Sequence, residues 1–360
     1  MKKDYFIISL VFFLATLVFY GYFWFFVPGK LQFLYQNWDG PNYIHIAQTF
    51  YNPQLLGQMN IFGHDPTYYA NHFPLYPIFI RLFSFIGYYR SMLFVSLLFS
   101  LLFLLAFYKL ISELKISPNP LWIVLPLIFF PSRWFIVSHV GSSEPVFLFF
   151  LTLFLLYFQR QKYWSAAVFA ALAQLARPQG ILICLGLLGL FIFEIFQKKI
   201  DVKNLISKYF PFILVPLALA LVFFVYLIQY GDFFAFFRSI SSYHHLQMPP
   251  FNVFSFLHLT TSLNIWKEIY IYFYLIYFLA IYSLFQKKLY LFAFISLAYF
   301  LPLPFLVHTD ISRYSLPLLP LAYIAFSKLI ESIPFRYGIL FILPAIFAQS
   351  LNFTLLNLSP

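Results

Sequence analysis

The stretch YFIISLVFFLATLVFYGYFWFFV, Tyr5 to Val27, carries no charged side chain. A run of about 20 apolar residues matches the thickness of a bilayer core as a helix. Met1-Lys2-Lys3 precede it, but the run is too long and aromatic for a secretory signal and has no small-residue cleavage pattern. It reads as a retained anchor helix. Similar runs follow along the chain, at about 91–110, 119–138, 145–159, 162–176, 180–196, 209–230, 267–285, 289–307, 314–330 and 337–355. The expectation is an all-α polytopic membrane protein of about 11 transmembrane helices, one domain over residues 1–360 with no separate soluble part.

Composition supports this. Of 360 residues, 62% are hydrophobic and 9% charged, where a soluble domain carries roughly a quarter charged residues. The runs are continuous, not alternating, which excludes a barrel. The net charge of +11 does not point to nucleic acid, because the basic residues sit in short loops between apolar runs. With Lys2 and Lys3 cytoplasmic, 14 of the 22 Lys and Arg fall inside, nearly all lysine, as the positive-inside bias asks. The outer eight are mostly arginine: Arg81, Arg90, Arg133, Arg177, Arg238 and Arg313. All eight histidines fall outside too. This parity requires that residues 73–88, interrupted by Pro74 and Pro77, lie at the outer interface as an amphipathic helix and not cross. The long external loops are then 28–90 and 231–266. Cys184 stands alone in an apolar run, which excludes a disulfide framework.

The outer face gathers the chemistry-bearing residues. Trp38-Asp39-Gly40-Pro41-Asn42-Tyr43-Ile44-His45-Ile46-Ala47 opens the first loop with a carboxylate at a membrane surface. His72-Phe73-Pro74-Leu75-Tyr76-Pro77 stiffens the chain ahead of the interfacial piece. Ser142-Ser143-Glu144-Pro145 begins a helix, where a serine can cap orphan N–H groups and a glutamate complements the dipole. Arg177-Pro178-Gln179-Gly180 breaks a long apolar region at its outer turn. His308-Thr309-Asp310-Ile311-Ser312-Arg313-Tyr314 begins another span, with a possible Asp310–Arg313 structural pair.

Taken in order, Trp38-Asp39, Tyr43-Ile44-His45-Ile46-Ala47, Phe73 to Pro77, Ser143-Glu144-Pro145, Arg177 to Gly180 and Ser312 to Leu318 resemble the GPI mannosyltransferase II (PIG-V) family and its prokaryotic relatives. That family belongs to the GT-C superfamily of multispanning glycosyltransferases, and the resemblance covers about residues 38–320. It implies a GT-C-type bundle and an inverting transfer of mannose, or a related hexose, from a polyprenyl-phosphate-linked donor. It also implies an external or luminal active site with the first-loop acid as base.

The residues themselves ask for the same parts. A sugar leaving a lipid phosphate needs cations for the departing charge, for which Arg177, Arg313 and Arg81 are the candidates. The attacking hydroxyl needs a base, for which Asp39 is the candidate, with Glu144 orienting the acceptor or acting as second base. Trp38, Tyr43, His72, Tyr76, Ser143, Gln179, Asp310 and Tyr314 are expected to line the substrate site. Each has a plainer reading; Asp39 in particular could be an Asx-turn residue before Gly40-Pro41. No cofactor is required by this chemistry. A divalent metal is the alternative that the histidines raise, although none shows the His-Glu-x-x-His spacing.

The expected partners are the polyprenyl-phosphate sugar, a glycolipid, glycan or protein acceptor, and the bilayer. The expected location is a prokaryotic plasma membrane, with the endoplasmic reticulum as the alternative if the protein is eukaryotic. Two rival readings stand beside this one. One is another GT-C activity, a protein O-mannosyltransferase or a lipid-modifying aminosugar transferase. The other is a transporter or flippase of lipid-linked sugars, against which count the one-sided charges and the lack of internal repeats.

Overall fold

The computed structural model describes residues 2–29, 31–59, 65–197, 202–243, 246–254, 263–308 and 310–356. Expectations resting on His64, Lys198, Lys199, Asp201, His244, His245, Thr309 and the 359–360 end lie outside these residues, as do parts of the 231–266 loop.

In chain order the principal helices are α1 (Lys2–Phe26), α2 (Gly40–Thr49), α3 (Leu75–Leu82), α4 (Tyr88–Leu114), α5 (Leu121–Phe129), α6 (Ser132–His139), α7 (Glu144–Gln159) and α8 (Tyr163–Ala176). They continue as α9 (Leu182–Phe196), α10 (Leu214–Tyr230), α11 (Ala235–Tyr243), α12 (Leu263–Gln286), α13 (Tyr290–Phe300), α14 (Ile311–Tyr314), α15 (Leu319–Ala325) and α16 (Ile333–Leu356). Among the described residues the fold is all-helical, with a single isolated β-bridge between Leu246 and Leu306.

Six helical stretches are long and apolar enough to cross a membrane: Lys2–Phe26, Tyr88–Leu114, Pro178–Phe196, Asn204–Tyr230, Lys267–Gln286 and Ile333–Leu356. They become seven if α5 and α6 count as one span. Those two are bent by 73°, so the expected straight run 119–138 is corrected to a broken one. Phe130 is extended and Pro131 follows, a residue that offers no N–H and pushes its predecessor out of helical geometry. The expected run 314–330 is likewise divided into short pieces around Pro317 and Pro320.

Burial sorts the helices into layers. The apolar window of α4 is 61% buried inside the protein, against 28% for α1 and α16, so α4 is central and the latter two are peripheral. Phe6, Phe13, Phe25, Leu340 and Phe341 on those outer helices are exposed, as lipid-facing side chains are. The 16-residue α7 is almost wholly buried from Glu144 to Phe158. It packs against α8, whose Ala166, Ala167, Ala170 and Ala173 present no side chain beyond a methyl and so let the helices approach closely. This pair and α4 form the scaffold on which the polar end of the bundle is built.

At that end, α3 replaces the crossing helix that an apolar 73–88 run could have made. Eight residues reach only about 12 Å. Its inner side buries Leu75, Tyr76 and Ile80, while Ile78, Leu82 and the following Phe85 are exposed.

Candidate active site

Asp39 occupies the position preceding α2, but its side chain caps no backbone N–H. The Asx-turn reading is therefore corrected: the carboxylate turns away from its own helix. Its Oδ2 accepts from Arg313 Nη2 at 2.7 Å, and its Oδ1 faces His72 Nε2 at 3.4 Å. Arg313 Nε donates to Glu144 Oε1 at 2.5 Å, and Arg177 Nη1 reaches the same oxygen at 2.6 Å. One carboxylate oxygen thus sits between two guanidiniums. Glu144 Oε2 accepts from the Ser142 hydroxyl.

Ser143 does not cap α7, contrary to the helix-start expectation. Its Oγ instead hydrogen-bonds Tyr43 Oη at 2.8 Å and accepts from Arg177 Nη1 at 3.1 Å. Arg177 is extended at the end of α8, a conformation favoured before Pro178, and its Nε donates to Gln179 Oε1 at 3.2 Å.

The Asp310–Arg313 side-chain pair is also corrected. From Arg313 the Asp310 carboxylate receives only the backbone N–H; it also accepts from the Ser312 hydroxyl and is held by Arg133 from α6, with Nε at 2.9 Å from Oδ1. Arg133 is a residue that sequence reasoning placed on the outer face but not in the site. The signal available was Pro131-Ser132-Arg133, an arginine directly after a helix break. The indole of Trp38 contacts two guanidiniums, 4.1 Å from Arg133 and 5.2 Å from Arg313, and is 7% exposed. It is thus a buried cation–π partner of both arginines more than an open platform. Its φ of +49° is an outlier for a bulky residue, and such strain persists where the surroundings hold it.

Other expected residues fall around this cluster. The Tyr43 ring packs edge-on against His72 and Tyr76, at 5.0 and 4.9 Å. Tyr76 is fully buried and bonds Met92 O and Ser96, so it supports the site from behind. Tyr314 packs on His308 at 4.8 Å. Tyr68, which had no sequence signal, stacks edge-on with His72 at 5.5 Å. Arg81 donates to the carbonyls of Ala47 and Gln48, tying α3 to α2, and makes no ion pair among the described residues.

Gly141 explains how the first loop meets the Glu144 loop. A β-carbon there would come within 2.9 Å of Gly40 Cα, so only glycine admits this backbone approach.

Three arginines (133, 177, 313) and three carboxylates (39, 144, 310) therefore assemble from five separate segments, Asp310 and Arg313 sharing one. Desolvating that many charges is costly, which is how active sites differ from ordinary surfaces. Accessibility separates the acids: the Glu144 side chain is 3% exposed and that of Asp39 is 24%. Burial pushes the Asp39 carboxyl up, but the charge of Arg313 and the hydrogen bond to His72 outweigh it and hold it well below the usual carboxylate range. Among the described residues no group of three His, Cys, Asp or Glu is arranged to hold a metal ion.

No protein-family model matches the chain, and no curated protein and no solved structure matches it either.

Proposed function

We propose that this protein is an inverting membrane glycosyltransferase that moves mannose, or a related hexose, from a polyprenyl-phosphate donor to an acceptor hydroxyl at the outer face. The observation carrying this reading is the convergence of Asp39, Glu144, Arg177 and Arg313 on one hydrogen-bonded cluster. An accessible carboxylate beside paired guanidiniums is what transfer from a lipid phosphate needs.

In this reading the acceptor oxygen attacks the anomeric carbon from the face opposite the phosphate. The bond from that carbon to the phosphate oxygen breaks, and its electron pair leaves on the polyprenyl phosphate. The hydroxyl proton passes to Asp39. Arg313 and Arg177 hold the departing charge, and Glu144 keeps the two guanidiniums aligned. The carboxylate needs no activation to be ionised, and a single displacement inverts the anomeric centre, by analogy with inverting glycosidases.

The architecture we infer is a GT-C-type bundle of eleven crossings. The six long helices are joined by the α5–α6 pair and by the shorter apolar helices Glu144–Gln159, Tyr163–Ala176, Tyr290–Phe305 and Leu316–Ala325. The lysine-rich loops put the N-terminus in the cytoplasm and the cluster on the external or luminal side.

The test is sugar transfer in membranes carrying the protein, supplied with radiolabelled polyprenyl-phosphate mannose and membrane glycolipid. Wild type should form a new glycosidic bond and Asp39→Asn should not. Full transfer by Asp39→Asn overturns the assignment of the base. Movement of donor across the bilayer without a glycosidic bond overturns the enzyme reading in favour of a transporter.

A further inference from the structure

The two carboxylates on Arg313 are not equivalent, and the difference says how an anion enters. Glu144 is fixed: its side chain is 3% exposed, its Oε1 is shared with Arg177, and its Oε2 takes the Ser142 hydroxyl. Asp39 is the looser partner. It is 24% exposed, has a single arginine contact, and is otherwise held only by the longer approach of His72. The cluster also holds equal numbers of guanidiniums and carboxylates, each arginine already facing an acid. An entering phosphate therefore finds the three guanidiniums of the cluster already paired and must take one from an acid already present.

We propose that Asp39 is the internal occupant of a phosphate position on Arg313, and that a phosphate ester binds by exchanging with it. This rests on the glycosyltransferase reading and adds an order of events. A phosphate oxygen takes over Arg313 Nη2, which suits the planar donor fork of the guanidinium. Asp39 is left facing His72 and the solvent side of the site, without the charge that kept it a poor proton acceptor. The base becomes competent only when a phosphate is seated. In the empty protein Asp39 and Arg313 neutralise one another, so the outer face is not left with an exposed reactive carboxylate. Trp38 makes the exchange local. Its ring is held by the Arg133 and Arg313 guanidiniums, which anchors the backbone beside Asp39 and leaves the exchange to its side chain.

The prediction has an unusual sign: the variant that abolishes transfer should bind the leaving group more tightly. Equilibrium binding of polyprenyl monophosphate to the purified full-length protein in detergent reads this directly. Asp39→Asn, which keeps the shape and removes the competing charge, should bind about tenfold tighter than wild type, the equivalent of about 1.4 kcal/mol. Asp39→Ser should behave alike and replaces it if the amide variant does not fold. Asp65→Asn is the charge control, because it removes one negative charge from the same outer loop at a carboxylate that accepts from Thr67 and pairs with no arginine among the described residues. Its affinity should stay within about twofold of wild type, since the exchange involves only the Arg313 fork.

Unchanged or weaker binding by both Asp39 variants overturns the exchange while leaving the glycosyltransferase reading intact. Equal tightening in Asp65→Asn also overturns it, since general charge would then account for the gain. Failure of wild-type protein to bind polyprenyl monophosphate overturns both.

Discussion

Asp39 Oδ2 and Arg313 Nη2 meet at 2.7 Å across 274 residues of sequence, and the rest of the polar cluster is arranged around that bond. Arg313 is the hub, because its Nε holds Glu144 while its Nη2 holds Asp39.

A lysine cannot serve both acids with one planar fork. Arg313→Lys should therefore lower sugar transfer by about 100-fold or more, the loss seen when one charge-stabilising donor is removed. Initial rates in membrane vesicles check this, and a variant within fivefold of wild type would count against the hub.

Glu144 and Asp39 should separate in their effects on stability. Glu144→Gln leaves two buried guanidiniums short of a counter-charge, a cost of about 3–5 kcal/mol. Asp39→Asn unpairs a more exposed group and should cost clearly less, about 1 kcal/mol. Thermal unfolding in detergent should rank Glu144→Gln below Asp39→Asn; the opposite ranking would contradict the assigned roles.

Gly141→Ala tests the contact between the two loops. The added methyl is forced against Gly40 Cα, and overpacking of this kind costs about 1–3 kcal/mol. Transfer should fall with stability because Asp39 and Glu144 are carried on the displaced strands of chain. A variant with wild-type melting and rate would show that the approach can relax.

Acid sensitivity follows from the sign of the Asp39 shift. The folded protein holds this carboxyl well below its ordinary value of 3.8. Its contribution to stability is thus complete above that value and is lost as pH falls through the lower, folded one. The difference in melting temperature between wild type and Asp39→Asn should stay constant from about pH 7 to 5 and shrink only below the ordinary value. A difference that fades already near pH 6 would assign it to another group.

Much of this site is legible in the chain because its components are rare against an apolar background. Asp39, Glu144, Arg177 and Arg313 stand out at run ends, and the structure brings these four together. What is not legible is pairing. Asp310 is three residues from Arg313, yet its carboxylate goes to Arg133, 177 positions away, because α6 leaves the 73° bend pointed at it. Arg81 looks like its outer-face neighbours in sequence, but a short helix aims it at backbone carbonyls. The bend itself had a signal in Phe130-Pro131, outweighed by the apolarity around it.

The Asp39–Arg313 bond also dates the site. At translation rates of about 5–20 residues per second, Asp39 emerges on the order of ten seconds to a minute before Arg313 exists to meet it. Through that interval the acid must remain solvated at the membrane edge. Its partial exposure in the finished fold suits such a wait, and the polar cluster can close only when the segment carrying Arg313 has been inserted. A chain cut before residue 313 lacks α15 and α16 as well and should reach the membrane with Asp39 without its arginine.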